Sequence, residues 1–126
     1  MSTTKRVVDF LKQQGFCPEI DRDNGNVVFK YQMANFLFIN NDEDEDFFQL
    51  IMPGIYDVTE DNREVVLEAI NKMNSSIKVV KGATIQDGVW LFFEILLDHT
   101  PEVADIFPRA LQILQGARQH FYEIIN

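Results

Sequence analysis

At 126 residues, with 46% hydrophobic and 12% aromatic side chains, the chain has the length and apolar content of one globular domain spanning residues 1–126. Eleven of its residues are phenylalanine, so its core is expected to be built on rings. The net charge of −9 repels phosphate backbones and anionic lipid, which counts against nucleic-acid and membrane-surface binding and more weakly favours a basic protein partner.

Near the start, Lys5 and Arg6 precede Val7 and Val8, but Asp9 and Lys12 interrupt the apolar run. No secretory signal is expected, and no stretch approaches the ~20 apolar residues of a membrane-spanning helix. The longest apolar block, 89–97, is strand-sized and broken by Glu94. Cys17 is the sole cysteine, which excludes an internal disulfide and a cysteine-based zinc site. It reads as a small buried or half-buried hydrophobe, and the cytoplasm is the expected location.

Residues 3–14 predict a helix with Val7, Phe10 and Leu11 on one face, ended by Gly15 as its C′ residue and by Pro18. A short extended piece at 19–21 leads to Asn24-Gly25, a hairpin signal. Val27, Phe29 and Tyr31 alternate with Val28, Lys30 and Gln32 as in a strand. A second strand is expected at 35–40, apolar on both sides. A third at 47–52 follows an acidic turn and is expected to end at Pro53-Gly54.

Thr59 is the expected N-cap of a second helix, with Glu60 and Asp61 in its first turn. That helix would bury Val66, Ala69, Ile70 and Met73 and pair Glu68 with Lys72 at i,i+4. Residues 77–85 and 89–97 predict two strands joined at Asp87-Gly88. Thr100, Pro101 and Glu102 stand in N-cap, N1, N2 order before a last helix. Its stripe is Phe107, Leu111, Leu114, Phe121 and Ile125, and Pro108 predicts a kink or restart. The expected fold is therefore α+β: an antiparallel sheet of about five strands with three helices, in the order helix, strands, helix, two strands, helix.

Catalytic signals are sparse. The acidic run of residues 42–46 offers oxygens to a hard cation, but its place between two strands suits a solvated turn as well. Asp21 to Gly25 superficially resembles an EF-hand start, with the glycine one position early and Gln32 where the bidentate glutamate belongs. His120 and Glu123 share a helix face, but His99, the other histidine, is far away in sequence. Ser75-Ser76 lacks a glycine elbow, and there is no glycine-rich phosphate loop or dinucleotide fingerprint. No catalytic, cofactor-binding or metal-binding residue is assigned, and the chain is expected not to be an enzyme.

The stronger signal is surplus apolar surface. In 89–97, Val89, Leu91, Phe93, Ile95 and Leu97 form one apolar face, while Trp90, Phe92 and Leu96 share the other with Glu94. An antiparallel sheet with one wet side should alternate cleanly. Either helices cover both sides, or one side meets another chain or a ligand. Trp90, Phe92 and Leu96 are thus the candidate protein-interaction residues.

Residues 71–82, Asn-Lys-Met-Asn-Ser-Ser-Ile-Lys-Val-Val-Lys-Gly, followed by Asp-Gly-Val-Trp-Leu-Phe-Phe-Glu at 87–94, resemble the middle of the YbjN family. Asn71, Asn74, Lys81 and Gly88 match its pattern of an Asn-x-x-Asn helix end, a lysine-bearing strand, an acid-glycine turn and an apolar strand. That family comprises candidate bacterial sensory-transduction regulators and is similar in fold to type III secretion chaperones. The resemblance implies a chaperone-like or regulatory binding module, dimerisation included, with no catalytic residues to carry over. The asparagines are expected to satisfy the last carbonyls of their helix. The leading expectation is a non-enzymatic module binding another protein. The alternatives are an acidic inhibitor or immunity-type protein for a basic partner, and a small-molecule binder or enzyme using a pocket beside His99 or His120.

Overall fold

The computed structural model describes residues 2–41, 43–98 and 102–126. In chain order the elements are α1 (Thr3–Gln13), β1 (Glu19–Ile20), β2 (Val27–Tyr31), β3 (Ala34–Phe38), β4 (Phe47–Asp57), α2 (Arg63–Ser76), β5 (Val80–Ile85), β6 (Gly88–Leu96) and α3 (Val103–Ile125). The strands form one antiparallel sheet in the order β1-β2-β3-β4-β6-β5. The class is α+β with three helices, as the clustering of hairpins predicts. The sheet has six strands rather than about five, because the extended piece after Pro18 pairs Glu19 with Val28 and Ile20 with Val27.

α1 begins where the Ser2 hydroxyl accepts the Lys5 N–H at 3.1 Å. It ends at Gly15, whose φ of +87° suits a residue without a β-carbon. There Gly15 N–H bonds Lys12 O at 3.1 Å and Phe16 N–H bonds Leu11 O at 2.9 Å, the paired closure of a Schellman end. The acidic turn holds the other terminus: Thr3 donates its N–H to Glu45 Oε2 at 2.7 Å and its hydroxyl to Glu45 O at 2.9 Å. Cys17, just beyond α1, is exposed and not half-buried, since Pro18 and the short β1 carry it to the rim of the sheet.

Pro53-Gly54 does not end its strand. β4 continues to Asp57 through a register shift between Met52 and Tyr56, a bulge that absorbs the proline and the positive φ of Gly54. β5 starts at Val80 and not at 77, because Val79 adopts a left-handed φ of +59° that breaks the extended run. α2 starts at Arg63, with Asn62 as its cap residue. Thr59 lies before the helix and exchanges bonds with Asn62: Thr59 N–H to Asn62 Oδ1 at 2.8 Å, and Asn62 N–H to Thr59 Oγ1 at 3.3 Å. Glu60 and Asp61 are therefore turn residues. Glu68 and Lys72 do pair, at 3.6 Å on the surface. α3 runs without a restart through Pro108, which lies in its second turn. The expected cap Thr100 and Pro101 lie outside the described residues.

One face of the sheet and all three helices share a single core. Val27 and Phe29 of β2, Phe36 and Phe38 of β3, Phe48, Leu50 and Met52 of β4, and Val89, Leu91 and Phe93 of β6 point into it. α3 lies across that face and presents Phe107, Ala110, Leu111, Leu114, Ala117 and Phe121, the i,i+3,i+4 stripe of an amphipathic helix. α1 and α2 pack beside it through Val7, Val8 and Leu11, and through Val66, Ala69, Ile70 and Met73.

The asparagine motif has a different job from the expected one. α2 continues to Ser76, where the Ile77 N–H bonds Met73 O at 3.0 Å and the serine hydroxyls bond back one turn, Ser75 to Asn71 O and Ser76 to Lys72 O, both at 2.8 Å. Asn74 instead reaches across to β5. Its Oδ1 accepts the Gly82 N–H at 2.8 Å and its Nδ2 donates to Gly82 O at 3.3 Å. β5 is the last strand of the sheet, so these backbone groups point away from β6 and have no strand to pair with. At Gly82, Asn74 takes the place of a neighbouring strand. Gly82 fits because a β-carbon there would stand 2.7 Å from Met73 Cε. Asn74→Ala is expected to cost about 1–3 kcal/mol, as both partners of Gly82 are lost. Asn74→Asp keeps the acceptor but sets a second oxygen against Gly82 O, so it should also lose stability. Equal urea midpoints for wild type and Asn74→Ala would refute this role.

Candidate interaction surface

The sheet has a second face, formed by the alternate residues of the same strands. Register fixes its rows. Leu37 of β3 pairs with Ile51 of β4, Ile51 with Phe92 of β6, and Phe92 with Lys81 of β5. The neighbouring row joins Gln49 to Glu94, and the next joins Phe47 to Leu96. Among the described residues no helix packs on this face. Ile51, Trp90 and Phe92 contribute nothing to the core that the helices share with the opposite side.

Leu91 is fully buried and Phe93 is 4% exposed on the inner face, whereas Trp90 and Phe92 are half-buried and Leu96 is 78% exposed on the outer one. The two faces of β6 are thus assigned as the alternation predicts. Trp90 and Phe92 are brought together, with ring centroids 6.4 Å apart and planes 28° from parallel. The indole nitrogen lies over Gly88, 3.6 Å from where a β-carbon would stand. Leu96 is set apart from them by Glu94 and lies beside Phe47.

Between these apolar groups runs a short polar bridge. Gln49 Nε2 donates to Glu94 Oε2 at 2.6 Å, and Lys81 Nζ meets Glu94 Oε1 at 2.8 Å. The same ammonium stands 5.5 Å from the centre of the Phe92 ring, a cation–π distance. The Glu94 carboxylate is engaged on both oxygens, and Lys81 caps the aromatic group instead of presenting an isolated charge. The result is a sheet surface with an aromatic pair, a flanking aliphatic row and little local net charge.

Sequence reasoning missed Ile51 and Phe47. Ile51 is only 4% exposed although no helix covers it, because Leu37 and Phe92 on adjacent strands shield it from either side. The apolar content of both sides of β3 is the one sequence signal that pointed to its Leu37. His120 is half-buried on α3, and His99 lies outside the described residues. Concavities of about 520 Å³ around Gly54 and Asn62, about 400 Å³ beside Phe16 and Cys17, and about 280 Å³ beside Phe10 and Tyr31 are all lined without His120. Among the described residues, no three His, Cys, Asp or Glu side chains gather to hold a metal ion, and no helix is long and apolar enough to cross a membrane.

No protein-family model matches the sequence, and no curated protein matches it. Among solved structures the chain is similar to YbjN from E. coli, a protein described as a candidate transcription regulator. The TM-score is 0.64 at 9% sequence identity, over 94% of this chain and 88% of that one. At that identity the likeness is one of fold. It places the six-stranded sheet and its three helices in the α+β class that the YbjN structure represents.

Proposed function

We propose that this chain is a non-enzymatic, cytoplasmic protein-binding module, regulatory or chaperone-like, and a divergent relative of YbjN. Its partner docks on the outer face of the sheet, with Trp90 and Phe92 at the centre and Leu96 at one margin. The observation that supports this reading is the uncovered face itself: aromatic and aliphatic side chains from β3, β4 and β6 stand on a side that receives no helix from the described chain. Apolar side chains left without internal cover mark interaction sites in folded proteins, and buried aromatic anchors dominate the energetics of such interfaces. The neighbour's description as a regulator is compatible with a protein partner.

The test is capture from the native cell with three forms of the protein. Wild type and Leu67→Glu, altered at an exposed position on α2, should retain the same partner. Phe92→Glu should lose it while keeping a native circular-dichroism spectrum. A folded Phe92→Glu protein that captures an unchanged set would sink the proposal.

A further inference from the structure

Resting on that reading of the outer face, we infer that the docking element is an amphipathic helix with an apolar stripe and basic residues at both ends, laid along β4 and β6. The argument comes from where the charges lie. In the middle of the face Lys81 and Glu94 neutralise each other at 2.8 Å. At the ends of β4 and β6 the balance is acidic. Exposed Glu43, Asp44 and Asp46 stand beside exposed Asp98, because the Leu97 N–H bonds Asp46 O at 2.7 Å, while the Glu45 carboxylate is engaged by the Thr3 N–H. At the opposite end Asp57 pairs with Gly88, the Val58 N–H bonds Asp87 O at 2.8 Å, and Glu60 and Asp61 follow, all four acids being exposed. Bases are fewer: Lys78 precedes β5, Lys5 and Arg6 follow the Thr3 that bonds Glu45, with Lys5 already paired to Asp9, and Arg63 opens α2 at the second end.

A second copy of the chain fits this pattern poorly. In an aligned face-to-face pair the strands lie within about 30° of each other, which would bring acidic ends onto acidic ends. A helix with basic ends gains attraction at both. An extended segment lying flat on the face is also disfavoured, because its N–H and C=O groups would meet apolar side chains without partners, whereas a helix pairs its own. The dimensions agree. β4 has 11 residues, and at ~3.4 Å per residue it spans about 35 Å. A helix of about 24 residues covers that distance.

Trp90 is the only tryptophan, so its emission reports occupancy of the face directly. The experiment titrates the intact protein with synthetic helical peptides of about 24 residues. One carries a Leu/Phe stripe with lysine ends, a second the same stripe with glutamate ends, and a third lysine ends with a serine stripe. The expected result is a blue shift with the first peptide alone, bound at least about tenfold tighter than the second. The gap should narrow as salt rises, binding should be lost in Phe92→Glu, and it should weaken in Asp46→Asn/Asp98→Asn and in Asp57→Asn/Asp87→Asn. Equal binding of lysine-ended and glutamate-ended peptides would overturn the basic occupant and leave the docking face intact. A Trp90 shift and a mass increase that depend only on protein concentration would make the occupant a second copy. No response to any peptide would overturn the helix.

Discussion

Phe107→Ala is expected to lower the stability of the protein by about 3–5 kcal/mol, the range for removing a fully buried ring. Phe107 has no exposed surface and lies 5.7 Å from Phe10, 5.6 Å from Phe29 and 6.0 Å from Phe48, measured between ring centroids. It therefore ties α3 to α1, β2 and β4 at one point. Two of these neighbours, Phe29 and Phe48, are rings held by strand register, so the space left by truncation cannot close by small rotations. The cavity cost adds to the lost transfer energy. A shift of the urea midpoint at unchanged slope is the appropriate reading, since a changed slope would signal a different unfolded or native ensemble. A loss below about 1 kcal/mol would show that this layer repacks more freely than its geometry implies.

Where signals were local, the sequence could be read well. The alternation in β6 separates Leu91 and Phe93 from Trp90 and Phe92 because side chains of a strand point to opposite faces in turn. Gly15 announces the end of α1 because its positive φ is needed one residue past the helix. The misreadings share another cause: a residue's partner lies on an element that the local pattern does not reveal. Pro53-Gly54 reads as a stop, yet pairing with β6 resumes beyond the bulge and carries β4 to Asp57. Asn74 reads as a helix terminator, yet its side chain is claimed by Gly82 on the sheet edge. The turn between β2 and β3 has no Asn-Gly signature at all. Gln32 and Met33 take positive φ values of 47° and 66° there, a conformation forced by the pairing of Tyr31 with Ala34.

The candidate interaction surface was legible only in part for the same reason. Trp90, Phe92 and Leu96 follow from one strand, but the extent of the patch depends on strand order. β4 lies next to β6, which is reached only after α2 and β5, so Ile51 comes to stand beside Phe92 through a non-local crossover. No window of the sequence contains both residues. The helices' choice of face is likewise a property of three amphipathic stripes acting together, and it leaves the outer side bare.

That choice of face predicts opposite outcomes at adjacent positions. Leu91→Glu places a carboxylate at a site with no exposure, against Gly82 and the α2 side chains Ile70 and Met73, where no base is at hand. Burying an unpaired charge costs several kcal/mol, a large share of the ~5–15 kcal/mol that holds a domain of this size together. The variant should be largely unfolded, with flattened near-ultraviolet circular dichroism and a Trp90 emission like that of the denatured chain. Phe92→Glu differs by one residue in sequence and by a whole face in space. Its carboxylate would stand in solvent, opposite Lys81 on the paired strand, and that attraction offsets repulsion from Glu94 two residues along. The loss is confined to stacking with Trp90, the contact with the Lys81 ammonium and part of the cover over Ile51. A cost below about 2 kcal/mol is expected, and the fold should persist. Comparable destabilisation of the two variants in denaturant would mean that the outer face is buried by something within the chain itself, and the docking surface would have to be sought elsewhere.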